Sequence, residues 1–225
     1  MYVLELVGQD DRFAAAEAAT AASDVTPIAA GLATARGLDD GFETLALTHR
    51  AAELVGTTDA SLDSAAVLLE AAGIDRDGTV AVRARDVRST AGIDTQAAER
   101  RLGQVLVDRG FEVDLEDPDH VLQAFFAGAD DASAVDADRD TADIEPVAPG
   151  DDGLCALGWL AVETDRDFAD RQPTDRPFFQ PGSMDPALAR ALVNLAGAGP
   201  GTTVLDPMCG TGGLLLEAGR VGATP

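Results

Sequence analysis

The sequence predicts an α/β fold, and three observations carry that prediction. Residues 79–85 alternate between apolar and polar side chains, as a strand does, and segments with helical patterning lie on either side. Near the carboxyl end, an apolar stretch at residues 203–205 ends in an aspartate and turns through glycines into a helical segment at 214–218. The 225 residues suffice for one large domain or two modest ones, each with a core.

The charge of the chain is strongly one-sided. Asp and Glu number 40 against 16 basic residues, all of them arginine, and the formal net charge is −24. Self-repulsion of this size is screened effectively at high salt, where the Debye length falls to about 3 Å. We therefore hypothesise that the source is an extreme halophile. The acidic total does not exclude nucleic-acid binding, because a local arginine patch can still attract phosphates.

Membrane, metal and disulfide patterns are not indicated by the sequence. No apolar run approaches the roughly 18 residues of a transmembrane helix, and the first residues lack a basic region followed by an apolar one. We expect a cytoplasmic protein with no membrane partner. Cys155 and Cys209 lie in unrelated contexts, so neither a disulfide framework nor a metal site is expected. The oligomeric state is left open.

Residues 1–48 form a section that is too small for a large core of its own, so we expect it to pack on the next section of the chain. Alternation of apolar and polar residues indicates strands, and an alanine-rich stretch indicates a helix. The predicted elements are, in order, a strand at 1–6, a helix at 13–22 and a strand at 42–48.

Residues 49–165 are predicted to be a second section organised around the alternating strand at 79–85. Arg83 and Arg85 share one face of that strand, and Arg88 follows closely. The other predicted elements are helices at 49–55, 62–72 and 95–108, strands at 111–115, 121–126 and 154–162, and a solvated acidic insertion at 128–153.

This order of elements, with arginines on its first strand, resembles a THUMP domain over about residues 49–165. The resemblance rests on Val82-Arg83-x-Arg85 with Leu102-Gly103, and on Val113-Asp114-Leu115-x-Asp117-Pro118-Asp119. THUMP modules bind RNA in tRNA-modifying enzymes, so the resemblance implies tRNA as partner. The implied RNA-binding residues are Arg83, Arg85, Arg88, Arg100 and Arg101. The alternative is a solvated strand face whose arginines pair with Asp86 and Glu99.

The glycine-rich stretch near the carboxyl end carries a further pattern. Glycine lets the backbone approach a ligand closely, and the helix after it offers unpaired N–H groups at its N-terminus. The spacing Gly210-x-Gly212-Gly213 lacks the third glycine of a dinucleotide fingerprint, because Leu215 stands at that place. No Gly-Lys-Ser/Thr is present either, which disfavours a P-loop. The bare spacing also fits a purely structural turn.

The wider string Asp-Pro-Met-Cys-Gly-Thr-Gly-Gly resembles the first motif of class I methyltransferases that use S-adenosylmethionine, in the form found among RNA base N-methyltransferases. The resemblance implies the start of a Rossmann-like domain whose loop wraps the methionine and ribose parts of the cofactor. Asp206 would pair with the ammonium of the cofactor, and backbone N–H groups would meet its carboxylate. The implied cofactor-binding residues of this loop are Asp206, Pro207, Met208, Cys209, Gly210, Thr211, Gly212 and Gly213.

A second segment, residues 176–186, extends this resemblance. It precedes a predicted helix at 187–195, for which Asp185 is a suitable cap. It resembles the stretch before the first motif in THUMP-containing methyltransferases, which closes over the cofactor pocket, and this implies that Pro181 and Gly182 bind the cofactor. The predicted domains are an N-terminal α/β segment at 1–48, a THUMP-like domain at 49–165, and a linker with the start of a methyltransferase domain at 166–225.

The combined pattern most resembles the archaeal tRNA (guanine(10)-N2)-methyltransferases, which act on a guanosine in the D-arm region. The resemblance implies an enzyme that methylates the exocyclic N2 of a guanosine in tRNA with S-adenosylmethionine. The alternatives are a ribosomal-RNA guanine-N2 methyltransferase, a non-catalytic THUMP RNA-binding or adaptor module, and an adenine or DNA N-methyltransferase. Which guanosine is modified, and whether one or two methyl groups are added, stays open.

In this family the transfer step depends on a later Asp/Asn-Pro-Pro-Tyr/Phe motif, which the 225 residues do not contain. We therefore expect an N-terminal fragment of a longer enzyme, with weak RNA binding and no turnover, and we name no catalytic residue. One strand and two helices cannot cover a doubly wound sheet. Exposed apolar surface is therefore expected in residues 166–225.

Overall fold

A mixed eight-stranded sheet forms the centre of the structure. The computed structural model describes residues 1–129, 153–175 and 180–225. The strands are β1 (Tyr2–Leu6), β2 (Ala22–Ser23), β3 (Thr26–Ala29), β4 (Leu32–Ala35), β5 (Gly37–Leu38), β6 (Thr48–Thr58), β7 (Thr79–Asp86), β8 (Glu112–Val113), β9 (His120–Ala127) and β10 (Leu154–Glu163). The α-helices are α1 (Asp11–Ala18), α2 (Leu62–Ala71), α3 (Thr95–Asp108), α4 (Pro186–Leu195) and α5 (Gly213–Arg220).

The order of strands in the large sheet is β3-β4-β1-β6-β10-β9-β7-β8. Its pairs are antiparallel except for β9 with β7 and β7 with β8, which are parallel. Strands β2 and β5 form a separate two-stranded sheet. Strands from residues 1–48 and from the later section thus share one hydrogen-bonded layer. The division into domains at residue 48 stays a prediction.

Helices α2 and α3 cover one face of this sheet. Val80 and Val82 of β7 are buried on that face against Leu69 of α2 and Leu102 of α3. This packing is the reason for the strict alternation of β7, whose arginines face the other way. The strand at 79–85 and the helix at 95–108 are therefore confirmed.

The opposite face of the sheet is apolar at one end and polar at the other. Val3, Ala52 and Phe125 are buried in a cluster with Ile28 of β3. Further along the same face, Glu5 of β1 lies opposite Arg50 of β6 in the register. The apolar end of this face is filled by packing. The polar end is not, so ligands can reach it.

Two predicted elements of the first half are wrong. Residues 49–55 are not a helix but part of the long strand β6, which lies between β1 and β10. Residues 42–48 are not a strand: they begin as a 3-10 helix at Phe42–Thr44. The backbone groups of residues 44–47 bond largely to side chains, although Leu47 O accepts from Val7 N just after β1. The side chains concerned are Glu17, Arg166, Arg190 and Asn194.

Helices α4 and α5 pack together at the carboxyl end of the chain, and α4 also contacts α1. The predicted helix at 187–195 is confirmed, and the Asp185 carboxylate caps it by accepting from Ala187 N and Leu188 N at 2.9 and 3.1 Å. Most of the predicted insertion, residues 130–152, lies outside the described residues.

The buried strand predicted at 203–205 is wrong. The backbone makes one isolated parallel bridge there, between Thr203 and Thr224, and Leu205 is 86 % exposed. One bridge leaves such a segment open on its other side, so its apolar side chains stay in contact with water. Met208 is 90 % exposed nearby, and the expected exposed apolar surface is therefore confirmed.

Candidate cofactor and RNA sites

The glycine loop, residues 206–213, turns the chain into α5. Gly210 and Gly212 have φ values of 52° and 75°, a left-handed conformation that glycine adopts without a steric penalty. Gly212 N donates to Cys209 O at 2.7 Å, and Gly212 is the N-cap of α5. The predicted glycine turn before a helix is thus confirmed.

The geometry of this loop leaves room for an anionic group at the N-terminus of α5. No side chain among the described residues caps the N-terminus of α5. A Cβ placed on Gly210 or Gly212 would meet no atom of the described residues within 4 Å. Because uncapped N–H groups at a helix N-terminus attract anions, a carboxylate group can approach the backbone here.

Asp206 stands at the beginning of the loop and is partly exposed. Its Oδ1 accepts a hydrogen bond from Met208 N at 2.9 Å, so the carboxylate is held by a turn of its own backbone. An ionised carboxylate has acceptor capacity for more than one group. The Asp206 carboxylate can therefore hold a cation in front of the loop while its own orientation is fixed by the hydrogen bond from Met208 N.

The segment before α4 reaches this loop. Ser183 Oγ and Thr211 Oγ1 lie 3.1 Å apart, within hydrogen-bond distance. Pro181 and Gly182 directly precede Ser183, and Gly182 has a φ of 88°. The structure thus brings together the two stretches from which cofactor binding was predicted. Residues 176–179, which include the two phenylalanines of the predicted closing segment, lie outside the described residues.

Beneath the loop lies an ion-pair cluster that sequence reasoning missed. Glu217 of α5 is fully buried; it accepts from Arg171 Nε at 2.7 Å and lies 2.8 Å from Arg190 Nη2. Asp167 pairs with both Arg171 and Arg220. Burial acts to lower the pKa of Arg171, but hydrogen bonds to Glu217 and Asp167 outweigh it and raise that pKa. The sequence offers one signal of this cluster: a glutamate, Glu217, on the mostly buried face of a short apolar helix.

The second candidate site is a groove on the sheet face that α2 and α3 do not cover. Two adjoining depressions, with volumes of about 380 and 240 Å³, share Arg85 as a common wall. Four arginines line them, and Glu5, Glu163 and Gln123 lie between these arginines. We define the arginine groove by Arg50, Arg83, Arg85 and Arg88.

Two of the groove arginines form ion pairs with carboxylates. Arg50, whose side chain is 12 % exposed, lies 3.1 Å from Glu5 and 3.3 Å from Glu163. Arg88 adopts a left-handed conformation, with φ 54°, and pairs with Asp11. These ion pairs hold the walls of the groove in place.

The other two arginines are more available to a ligand. Arg83 donates to two carbonyl oxygens, that of Leu115 at 2.9 Å and that of Val82 at 3.4 Å. Arg85 is 47 % exposed and lies 3.9 Å from Glu5. Carbonyl acceptors leave the formal charge of Arg83 in place, so this residue can still attract a phosphate.

Glu5 lines the second depression and lies 3.1 Å from Arg50, which lines the first. Burial acts to raise the pKa of Glu5, but His49, whose Nδ1 lies 3.7 Å from Glu5 Oε2, and the charges of Arg50 and Arg85 outweigh it and lower that pKa. The ionised carboxylate therefore organises the arginines around it.

Arg100 and Arg101 do not lie in the groove. Both are exposed on α3, whose Ala98 and Leu102 face the sheet. Helical spacing turns Arg100 away from that face, and Arg101 lies 3.8 Å from Glu70 of α2. The structure brings Arg83, Arg85 and Arg88 together on one surface, adds Arg50, and leaves Arg100 and Arg101 elsewhere.

The described part of the chain offers neither a metal site nor a membrane-spanning helix. Among residues 1–129, 153–175 and 180–225, no three His, Cys, Asp or Glu side chains are grouped so that they could hold a metal ion. None of the helices in these ranges is both long and apolar enough to cross a bilayer.

Known proteins resemble this chain in sequence. Residues 173–225 match the family described as RMKL-like, methyltransferase domain. A tRNA (guanine(10)-N2)-dimethyltransferase from Methanothermobacter thermautotrophicus is 36% identical over 180 residues, which are 79% of this chain and 46% of that protein. A protein of the same name from Pyrococcus abyssi is 28% identical over 188 residues, covering 80% of this chain and 47% of that protein. The chain thus spans about half the length of these curated relatives.

A solved structure resembles the chain in fold. The crystal structure of TrmN from Thermus thermophilus matches with a TM-score of 0.55 and 23% sequence identity, over 99% of this chain and 63% of that one. This similarity confirms the α/β class. In sequence, the chain is similar over 79% and 80% of its length to the two proteins named tRNA (guanine(10)-N2)-dimethyltransferase.

Proposed function

We propose that this protein is a methyltransferase that uses S-adenosylmethionine to methylate the exocyclic N2 of a guanosine in tRNA, at position 10 as the names of its relatives state. The observation that carries the proposal is the glycine loop, whose uncapped helix N-terminus and approach to Ser183 suit a cofactor site. The similarity to tRNA (guanine(10)-N2)-dimethyltransferases supports the same reaction.

The residues of the loop would hold the cofactor by its amino-acid end. When bound, S-adenosylmethionine supplies a methyl group on a positively charged sulfur. Asp206 would pair with the ammonium group, and the N–H groups at the start of α5 would meet the carboxylate. Gly210 and Gly212 allow the backbone to come close. The work of these residues is orientation, which accounts for a large part of catalysis in a two-substrate reaction.

The arginine groove would bind the phosphates of tRNA. Arg83 and Arg85 are best suited to this role. Arg83 lacks a close carboxylate partner among the described residues, and Arg85 is half-exposed. Phosphate contacts hold the RNA without reading its sequence. A guanine whose N2 is to react must be unpaired or turned out of its helix. The groove therefore supplies affinity, and the shape of the RNA supplies the choice of base.

The experiment is methyl transfer from labelled S-adenosylmethionine to a tRNA transcript by the full-length protein. We expect transfer to guanosine at position 10 and none when inosine, which lacks the 2-amino group, replaces it. Transfer to the inosine transcript would contradict N2 as the acceptor. Transfer to ribosomal RNA alone would support the rRNA alternative, and RNA binding without cofactor binding would support the adaptor module.

The role of Asp206 is tested by titration with S-adenosylmethionine. Asp206→Ala should weaken cofactor binding at least about tenfold, since a hydrogen bond to a charged group contributes about 1.5–3 kcal/mol. Asp114→Ala is the matched control, because Asp114 Oδ1 closes a similar turn by accepting from Glu116 N at 2.9 Å. Equal losses in both variants would remove Asp206 from the site.

We also propose that the protein works in the cytoplasm of a salt-adapted cell. The net charge of −24 and the absence of lysine support this. The unfolding temperature should rise between low salt and multimolar KCl, because salt screens the repulsion among carboxylates. A higher unfolding temperature at low salt would refute the proposal.

A further inference from the structure

The buried ion-pair cluster lies directly behind the glycine loop. Glu217 is four residues after Gly213, about one turn into α5, so its position sets the position of the helix N-terminus. Its carboxylate is 0% exposed, and its partners Arg190 and Arg171 are 8% and 16% exposed. These three side chains are thus withdrawn from water and from any ligand in the loop.

From this cluster, polar contacts continue into the first section of the chain. Arg190 Nη1 donates to Thr44 O at 3.3 Å, and Asn194 Nδ2 donates to the same oxygen at 3.1 Å. Asn194 Nδ2 also donates to Glu17 at 2.7 Å, and the Glu17 carboxylate accepts from Ala46 N and Leu47 N at 2.8 and 2.7 Å. The next residue begins β6, the strand that carries Arg50 of the groove.

A second route joins the same two sites. Asp167 pairs with Arg220 of α5 and with Arg171, and it lies four residues after Glu163. Glu163 is the partner of Arg50 at 3.3 Å. Both routes thus start on the helix after the glycine loop and end at Arg50.

Buried ion pairs of this kind contribute more to holding the protein in one arrangement than to its free energy of unfolding. Apolar side chains of similar volume would often stabilise a protein as well or better, whereas ion pairs with several hydrogen bonds favour one arrangement. Bidentate arginine–carboxylate contacts are directional, and packed methyl groups are not. A cluster that links two sites by such contacts therefore limits their relative movement.

We propose that Glu217, Arg171 and Arg190 are positioning residues that fix the glycine loop relative to the arginine groove. The inference rests on the proposed function: RNA held in the groove presents its guanine to the cofactor only while the two sites keep this orientation. None of the three residues needs to touch either substrate.

The experiment compares Arg190→Lys with Arg109→Lys in the full-length protein. Lysine keeps the charge but loses the planar fork. Arg109 is the matched control because it ties α2 to α3 by donating to Leu69 O, Glu70 O and Ala72 O, away from the loop. For Arg190→Lys we expect affinities for S-adenosylmethionine and for tRNA, measured separately, within about twofold of wild type, and a kcat at least about tenfold lower. Arg109→Lys should leave kcat unchanged even if it lowers the unfolding temperature as much as Arg190→Lys does.

Hydrogen exchange gives a readout that does not depend on activity. Arg190→Lys should speed exchange in residues 206–220 at least about tenfold and leave β7 unchanged. Unchanged exchange in 206–220, or a kcat loss that Arg109→Lys matches, would overturn the proposal. If the wild-type protein transfers no methyl group, the proposed function fails, and the exchange result alone decides whether the cluster fixes the loop.

Discussion

Arginines occupy two regions of this molecule and differ in burial and partners. In the cluster behind the glycine loop, Arg171 and Arg190 are 16% and 8% exposed and face a fully buried glutamate. In the arginine groove, Arg85 is 47% exposed, and Arg83 bonds to carbonyl oxygens. In a chain with a net charge of −24, the partner of each arginine decides its role. An arginine can attract phosphate when it is reachable and its charge is not already matched.

The largest effect is expected in the buried cluster. Glu217→Ala leaves the buried Arg190 without its carboxylate and Arg171 with Asp167 alone, and removing one partner of a buried pair costs about 3–5 kcal/mol. Urea unfolding measures this loss. Glu70→Ala is the control: its pair with Arg101 spans 3.8 Å between two half-exposed side chains, so the loss should stay near or below about 1 kcal/mol. Equal losses in the two variants would end the distinction between buried and exposed arginine partners.

The second effect is expected in the arginine groove. Arg83→Ala should weaken tRNA binding about tenfold, or about 1.4 kcal/mol, because a phosphate contact is lost. The slope of log affinity against log salt should fall by about 0.7–0.9, the contribution of one contact. Filter binding at several KCl concentrations measures both quantities.

Arg100→Ala is the control for the groove. Arg100 is exposed on the outer side of α3, so its loss should change tRNA affinity by less than about twofold. If Arg100→Ala and Arg83→Ala weakened binding equally, the RNA would contact α3 as well as the groove. In that case the full predicted set of five arginines, rather than the groove, would define the RNA surface.

Local patterns account for the parts of the fold that could be predicted from the sequence. Helix α3 follows its predicted bounds because Asp94 caps it and its apolar residues recur with the helical period. Strand β6 could not be predicted in the same way, since its Ala-Ala-Glu-Leu-Val stretch suits a helix equally well. Its partners lie far away along the chain: Arg50 pairs with Glu5 on one side and Glu163 on the other. Arg50 was missed for that reason.

The glycine loop and the ion-pair cluster behind it differ in the same respect. The glycine loop could be predicted because its signal is contained in eight consecutive residues, Asp206 to Gly213. The cluster behind it could not, because Arg171 and Glu217 are 46 positions apart and neither residue indicates its partner. Ion pairs of this kind become visible only when the fold has brought distant residues together.

The smallest effects concern two buried glutamates with opposite pKa shifts. Burial raises the pKa of Glu17 and is only partly offset by hydrogen bonds from Ala46 and Asn194. The contribution of Glu17 to the free energy of unfolding is therefore fully present below its unfolded pKa near 4.5 and is lost as the pH rises through its folded pKa. The pKa of Glu5 is lowered, because His49 and the arginines outweigh burial. Its contribution is present above pH 4.5 and is lost as the pH falls through the folded pKa.

Unfolding temperatures of wild type, Glu17→Gln and Glu5→Gln across the acid range test this contrast. Relative to Glu17→Gln, the wild type should lose stability as the pH rises from 4.5; relative to Glu5→Gln, it should lose stability as the pH falls below 4.5. Slopes of the same sign would show that the arginines around Glu5 do not govern its ionisation. Glu5 would then not be the anionic centre that holds Arg50 and Arg85, and Glu163 would be the remaining carboxylate beside Arg50.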